Sequence, residues 1–241
     1  MVYSLNSFDT VEQEISRRFT ELRTFWSNVK QGWMPPPATQ NYAYTAGAGF
    51  TIVFIYSSLE FSINRSVRQL SQLISDYQVR KSDVCSAIMS LVHDPKTKAL
   101  MSAGKKTRLQ ARYDLYVSTR SNTIATIHDE LLAPELQNVW AKSIKDVFQS
   151  FGITDNITSD PSSQDYIDRI VNDRNAVAHG REAPDEIGAR YTVAEMDALI
   201  TRIEHEARHI VESFRVFYDA RHFVSDSVRY RYLRRDARPS R

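Results

Sequence analysis

The chain has 241 residues, 42% hydrophobic and 25% charged, with a formal net charge of +2; it is long enough to bury a core and ordinary enough in composition to exclude wholesale disorder or a bundle of membrane spans. Its one cysteine, Cys85, excludes an internal disulfide and a thiolate zinc cage, which fits a reducing cytoplasm. The longest apolar run, Phe50 to Tyr56, falls far short of the ~20 residues that a membrane span needs, and no basic flank leads into an apolar core at the N-terminus, so the expected setting is cytoplasmic, neither exported nor embedded.

From Phe8 to Val29, apolar residues fall at 11, 15, 19, 22, 25, 26 and 29, the spacing of one helical face, and Gly32 with Pro35 to Pro37 ends that helix. Its aromatic stripe, Phe19, Phe25 and Trp26, is expected in the core. The pattern resumes between Tyr42 and Tyr77, at 52, 55, 56, 59, 63, 67, 70, 74 and 77, and predicts a long central helix. "SDVCSAIMSLV" suggests a short helix; the block after it, Lys96 to Arg112, holds six basic residues and no acid and reads as an exposed excursion over about 94–120. Ser121 to Leu132 and Pro134 to Phe151 read as two helices, the second with Pro in its first turn and Gly152 just beyond its end. After the polar loop "TDNITSDPSSQ", a helix from Ser162 to His179 has Tyr166, Ile167, Ile170, Val171 and Val177 or Ala178 as its buried side. The last long helix opens on a capping box, Thr192 to Glu195, and carries a stripe at 196, 199, 200, 203, 207, 210, 211, 214, 217 and 218. Strand patterns and internal repeats are absent, so the expected fold is all-α: an antiparallel helical bundle over 41–222, preceded by a helix and Pro-rich linker over 1–40 and followed by an Arg-rich tail over 223–241, with a net charge of +5 in residues 221–241.

The stretch "DRNAVAHGRE" (173–182) stands out. Asn175 and His179 are four apart and share a helical face, whereas Arg174 and His179 are five apart, roughly 140° around the axis. Gly180 suits the left-handed residue that closes a helix, which puts His179 in the last turn, where the negative end of the dipole favours its protonated form. Arg grips phosphate oxygens in bidentate fashion, and His serves as acid or base, so with RNA supplying its own 2′-hydroxyl the pair suits phosphodiester cleavage. One motif offers one histidine. A two-fold homodimer with these helix ends facing each other supplies the second. The plainer alternative has Arg174 paired with Asp173 or another acid, His179 capping carbonyls and Gly180 merely ending the helix.

The run Arg174-Asn175-Ala-Val-Ala-His179-Gly180 resembles the signature of the HEPN superfamily, in which Arg is followed by a polar residue and, four to six positions on, by His. "FIYSSLEF" with Glu60, "SNTIA" with Ser121 and Asn122, a helix ending in "FGI" and the long terminal helix look like the RiboL-PSP type, over about residues 45–222; residues 80–120 match nothing in that pattern. The resemblance implies a helical bundle that dimerises through the signature helices, and metal-independent endoribonuclease activity leaving a 2′,3′-cyclic phosphate, with no cofactor, in toxin, phage-defence or RNA-processing settings, where a neutralising antitoxin or defence partner is expected. It gives Arg174 the phosphate, Asn175 the orientation of the His or the RNA, and His179 the proton transfers, with Asp173 beside them. Glu60 either holds Arg174 or Asn175 from the neighbouring helix or is a polar interruption beside the core. The alternative function is a catalytically inactive module that binds RNA or a protein.

Two further features bear on function. Lys105, Lys106, Arg108 and Arg112 in the excursion, with Arg229, Arg231, Arg234 and Arg235 in the tail, suit a phosphate backbone, and Tyr230 and Tyr232 among them suit base stacking. His205-Glu206-Ala-Arg-His209 satisfies the H-E-x-x-H spacing of helical zinc ligands, but it sits off the apolar stripe on a face that reads as solvated, so no metal is expected.

Overall fold

The apolar face of residues 42–76 forms a single helix, α2 (Tyr42–Asp76), and the rest of the bundle is arranged about it. The computed structural model describes residues 7–31, 42–128, 131–132 and 134–236, and among these there are ten helices and no strand. α1 (Ser7–Gln31) lies against α2 and against the long helix α9 (Val193–Asp219). Its apolar stripe is buried at Val11, Ile15, Phe19, Leu22 and Trp26, and polar contacts fix its register: the Trp26 indole donates to Asp197 (2.8 Å), and Arg23 pairs with Glu204 (2.7 Å). Phe25, expected inside, instead lies at the rim, 37% exposed and 6.0 Å from the Phe54 ring.

α7 (Ser163–Ala178) and the short α8 (Pro184–Gly188), which the periodicity did not announce, cover the other side of α2. α8 and α2 meet backbone to backbone. A methyl group at Gly49 would sit 1.9 Å from the Pro184 carbonyl oxygen, and one at Gly188 would sit 1.8 Å from that of Thr45, so both positions require glycine. α2 is long and apolar enough by composition to cross a membrane, and 56% of its most apolar stretch is buried inside the bundle. α9 begins as its capping box predicts, with the Thr192 hydroxyl accepting from the Glu195 amide (3.2 Å) and Glu195 accepting from that of Thr192 (2.8 Å). Its stripe from Met196 to Phe217 is buried. In α7, Ile167, Ile170 and Val171 are buried, whereas Tyr166 is 37% exposed and supports the Arg202 guanidinium.

The sequence expectation fails most clearly at Ser121 to Leu132. Residues 121–128 are extended and bonded to the segment after α2: Lys81 donates to Thr123 O (2.9 Å) and Ala125 to Val79 O (2.8 Å). The Ser121 hydroxyl takes the Thr123 amide (3.1 Å), a local bond that competes with the first helical turn, and the β-branched run Thr123-Ile124 does not favour a helix. The next helix is also shorter than expected. Pro134–Leu136 form one tight turn, and α6 (Ala141–Phe151) starts where Asp168 of α7 accepts the Ala141 amide (2.8 Å). It ends at Gly152 with φ 83°, as predicted.

α3 (Ser86–Val92) leads into a hairpin of two helices, α4 (Asp94–Ser102) and α5 (Arg108–Thr119), neither of which buries a residue. His93 anchors the hairpin. Its ring is buried, with Nδ1 2.9 Å from Met89 O and Nε2 3.1 Å from the Ser118 hydroxyl. The Arg-rich stretch as far as Asp236 is a helix, α10 (Asp226–Asp236), docked on the end of α2: Tyr232 is buried against Tyr77, and Asp236 accepts from the Tyr77 hydroxyl (2.8 Å) and from Arg221 (2.9 Å).

Candidate functional site

α7 ends in a tight closure. The His179 amide donates to Asn175 O (3.1 Å), Arg181 reaches back to Ala176 O (2.9 Å), and Gly180 takes φ 63°, the left-handed turn predicted for it. This leaves the imidazole of His179 exposed at the helix end, without a hydrogen bond or ion pair to any described residue. A ring so placed is free to exchange protons with a ligand. It caps no carbonyl.

One turn earlier, Arg174 is half-buried and built into the wall between α7 and α2. Its guanidinium carbon lies 3.6 Å from the centre of the Tyr56 ring, and Nη1 donates to Asn175 Oδ1 (2.9 Å). A cation held over an aromatic face in this way gains about 1–2 kcal/mol and loses rotamer freedom before any ligand arrives. The Arg174 Nε is buried without a hydrogen-bond partner. Such a donor carries an uncompensated cost, which an incoming acceptor would relieve.

Tyr56 lies outside the motif; the signal for it in the sequence is its position four residues before Glu60 on the same helical face. Its hydroxyl donates to Glu60 Oε1 (3.2 Å) and accepts the Val139 amide (3.3 Å). Glu60 thus accepts from the phenol that lies under Arg174 and makes no direct bond to Arg174 or Asn175. Burial pushes the Tyr56 pKa up, with the Glu60 charge adding to it and the Val139 amide and Arg174 opposing, so the phenol stays protonated at neutral pH and keeps donating.

Asp173 faces away from this constellation and serves the fold. It is buried, accepts from Arg190 (3.2 Å) and from the Tyr191 hydroxyl (2.5 Å), and so ties α7 to the turn between α8 and α9. The alternative in which Arg174 pairs with Asp173 is not what the chain does: each has its own partners.

The RiboL-PSP-HEPN family model matches residues 13–213. The chain belongs to the RiboL-PSP-HEPN family. The matched span takes in most of α1, which the expected 45–222 left out, and ends within α9, short of α10. Membership associates the chain with ribonucleases and RNA-binding proteins. No curated protein and no solved structure matches it.

Elsewhere in this RiboL-PSP-HEPN chain, Lys105, Lys106, Arg108 and Arg112 are all exposed on the α4–α5 hairpin, next to Leu109, Tyr113 and Tyr116, which are 78%, 64% and 63% exposed. In α10 the arginines divide. Arg229 is turned inward, donating to Arg221 O and Val224 O (both 3.0 Å), and Arg235 lies over the Tyr77 ring, whereas Arg231 and Arg234 face solvent. The H-E-x-x-H residues also part company: Glu206, expected on a solvated face, is buried and accepts the amide and hydroxyl of Ser159 (2.7 and 2.8 Å), and His209 meets Asn156 O (2.9 Å). Together they hold the polar loop against α9.

Proposed function

We propose that the protein is a metal-independent endoribonuclease that works as a homodimer, with Arg174, Asn175 and His179 of both chains around one phosphodiester. The observation that carries this reading is the contrast along the last turns of α7: a cation fixed in place by Tyr56 and Asn175, with an unpartnered buried N–H, and, five residues on, an exposed imidazole with no bond to any described residue. In the reaction, one His179 takes the proton from the ribose 2′-hydroxyl, and the 2′-oxygen forms a bond to phosphorus. The P–O5′ bond breaks as the partner subunit's His179 delivers a proton to the departing oxygen, leaving a 2′,3′-cyclic phosphate. The Arg174 guanidiniums neutralise charge as it grows on the non-bridging oxygens, a preorganised contribution that needs no rearrangement during the reaction. Asn175 keeps Arg174 aimed.

The exposed cations of the α4–α5 hairpin guide single-stranded RNA, and the exposed Tyr113 and Tyr116 that follow them on α5 stack its bases. The setting that fits such an activity is the cytoplasm of a cell using it as a toxin or phage-defence effector, with an antitoxin or defence protein restraining it. The test is cleavage of total RNA by purified protein in the presence of EDTA. The wild type is expected to cut and to leave cyclic phosphate ends, and His179→Ala, still folded and still associated as the wild type is, is expected to lose at least a hundredfold in rate. A wild type that binds RNA under these conditions without cutting it makes the protein a binding module instead.

A further inference from the structure

Away from the end of α7, one arginine from the segment after α2 and two from α10 meet around one hollow. Gln78, Arg80, Asp83, Ile124, Arg231, Tyr232 and Arg235 line a cavity of about 420 Å³, within the range of small-ligand sites. We propose that this hollow binds a phosphate dianion, a phosphomonoester carried by a mononucleotide or by the end of a nucleic-acid strand.

Charge balance argues for a dianion. Three guanidiniums face one carboxylate, and both oxygens of that carboxylate are engaged by hydroxyls: Tyr232 donates to Asp83 Oδ2 (2.6 Å) and Ser82 to Oδ1 (3.1 Å). Burial, together with the Asp83 hydrogen bond, raises the Tyr232 pKa to about 12, so the phenol remains a donor to Asp83 and adds no negative charge at neutral pH. The other nearby acid, Asp236, is shared among Arg221 (2.9 Å), the Tyr77 hydroxyl (2.8 Å) and Arg235 (3.8 Å). Arg80 and Arg231, which form no ion pair with any described residue, therefore leave positive charge unneutralised in a concave site, where low-dielectric walls focus the field.

Donor geometry argues for phosphate in particular. The Arg80 guanidinium has no hydrogen bond or ion pair to any described residue, although its backbone is fixed by pairing with Ile124. Arg231 uses only Nε, toward the Tyr230 hydroxyl (3.2 Å), leaving both terminal nitrogens open. Arg235 is held over the Tyr77 ring (4.3 Å), its Nη2 on Tyr77 O (3.1 Å) and its Nε paired with Asp236 (3.8 Å), so the open forks are those of Arg80 and Arg231. Planar forks with free N–H pairs match tetrahedral phosphate oxygens bidentately, which a monodentate anion cannot exploit. Ile124 and Tyr232 give the hollow an apolar wall for whatever carries the phosphate.

The hollow is independent of the α7 site, and so is its test. Calorimetric titration of the full-length protein compares adenosine 5′-monophosphate with adenosine, and a 5′-phosphorylated DNA oligonucleotide with its 5′-hydroxyl twin; DNA lacks the 2′-hydroxyl, so cleavage cannot intrude. At least one phosphorylated probe is expected to bind tenfold or more tighter than its counterpart. Arg80→Gln and Arg231→Gln are expected to erase that preference with an unchanged circular dichroism spectrum, since both side chains are exposed, and His179→Ala is expected to keep it. A preference confined to the mononucleotide identifies a small ligand, and one confined to the oligonucleotide identifies a strand end. Equal binding of phosphorylated and unphosphorylated probes, or a preference that survives both arginine substitutions, overturns the proposal.

Discussion

Arg174 gains its definition from a residue the motif does not contain. A guanidinium on a long side chain samples many rotamers, and the Tyr56 ring 3.6 Å away removes most of them while Asn175 fixes one edge. The tyrosine also has a second task, because its hydroxyl is the partner of the buried Val139 amide just ahead of α6. The two roles separate by substitution. Tyr56→Phe keeps the aromatic face and strands the Val139 N–H, so it should cost about 1–3 kcal/mol in chemical denaturation while RNA cleavage by the folded protein falls only a few-fold. Tyr56→Leu removes the face as well, and should lower kcat/KM by at least about tenfold, the equivalent of losing ~1.4 kcal/mol of cation–π hold. Equal activity in the two variants would mean that the ring does not position Arg174.

At the scale of elements, two junctions hold α2 in place. At its N-terminal half, α8 comes close enough that Gly49 and Gly188 have no room for a methyl group, so Gly49→Ala or Gly188→Ala should each cost about 3 kcal/mol as the backbones are forced apart, whereas Gly104→Ala in the open turn between α4 and α5 should leave the melting temperature unchanged. At its C-terminal end, the tyrosines beneath α10 make a pH-sensitive joint. Burial raises Tyr218 and Tyr232 from the usual 10.0 to about 12. Below pH 10 folded and unfolded chains both keep these phenols protonated and the stability is fully present; as pH rises from 10 toward 12 the unfolded chain ionises first, so stability is lost through that window. Tyrosinate absorbance and helical circular dichroism should change together there, and Tyr232→Phe should move the transition up. Sequence made the long helices legible because their apolar spacing is the same physics that packs them: α1, α2, α7 and α9 fall close to where periodicity put them. It failed where the deciding partners are remote. Nothing local to residues 121–128 announces the pairing with residues 79–81, the start of α6 is set by Asp168 on another helix, and α8 is five residues held by two glycines against α2.

At the scale of the whole molecule, the candidate site is half legible for a related reason. Arg174, Asn175 and His179 share a segment and can be read together, but what braces them arrives from α2, about 120 positions earlier in the chain. What completes them chemically, in the reading proposed here, arrives from a second chain. Among the described residues the exposed imidazole is bonded to no second proton-transfer group, and 2′-hydroxyl attack needs one group to remove a proton and another to supply one. That requirement makes a quantitative prediction for mixed dimers. When wild type and His179→Ala are allowed to exchange subunits at fixed total concentration, a site that uses both imidazoles is intact only in wild-type pairs, so the cleavage rate should follow the square of the wild-type fraction. Chains that act singly give a straight line. Arg174→Ala should dilute the activity along the same curve if, as proposed, its guanidinium grips the shared phosphate, while a surface change such as Gly104→Ala should give the same rate at every ratio. Sedimentation of each mixture shows whether exchange and association were complete, so a linear dependence in fully dimeric mixtures would place the chemistry within one subunit and remove the need for the partner.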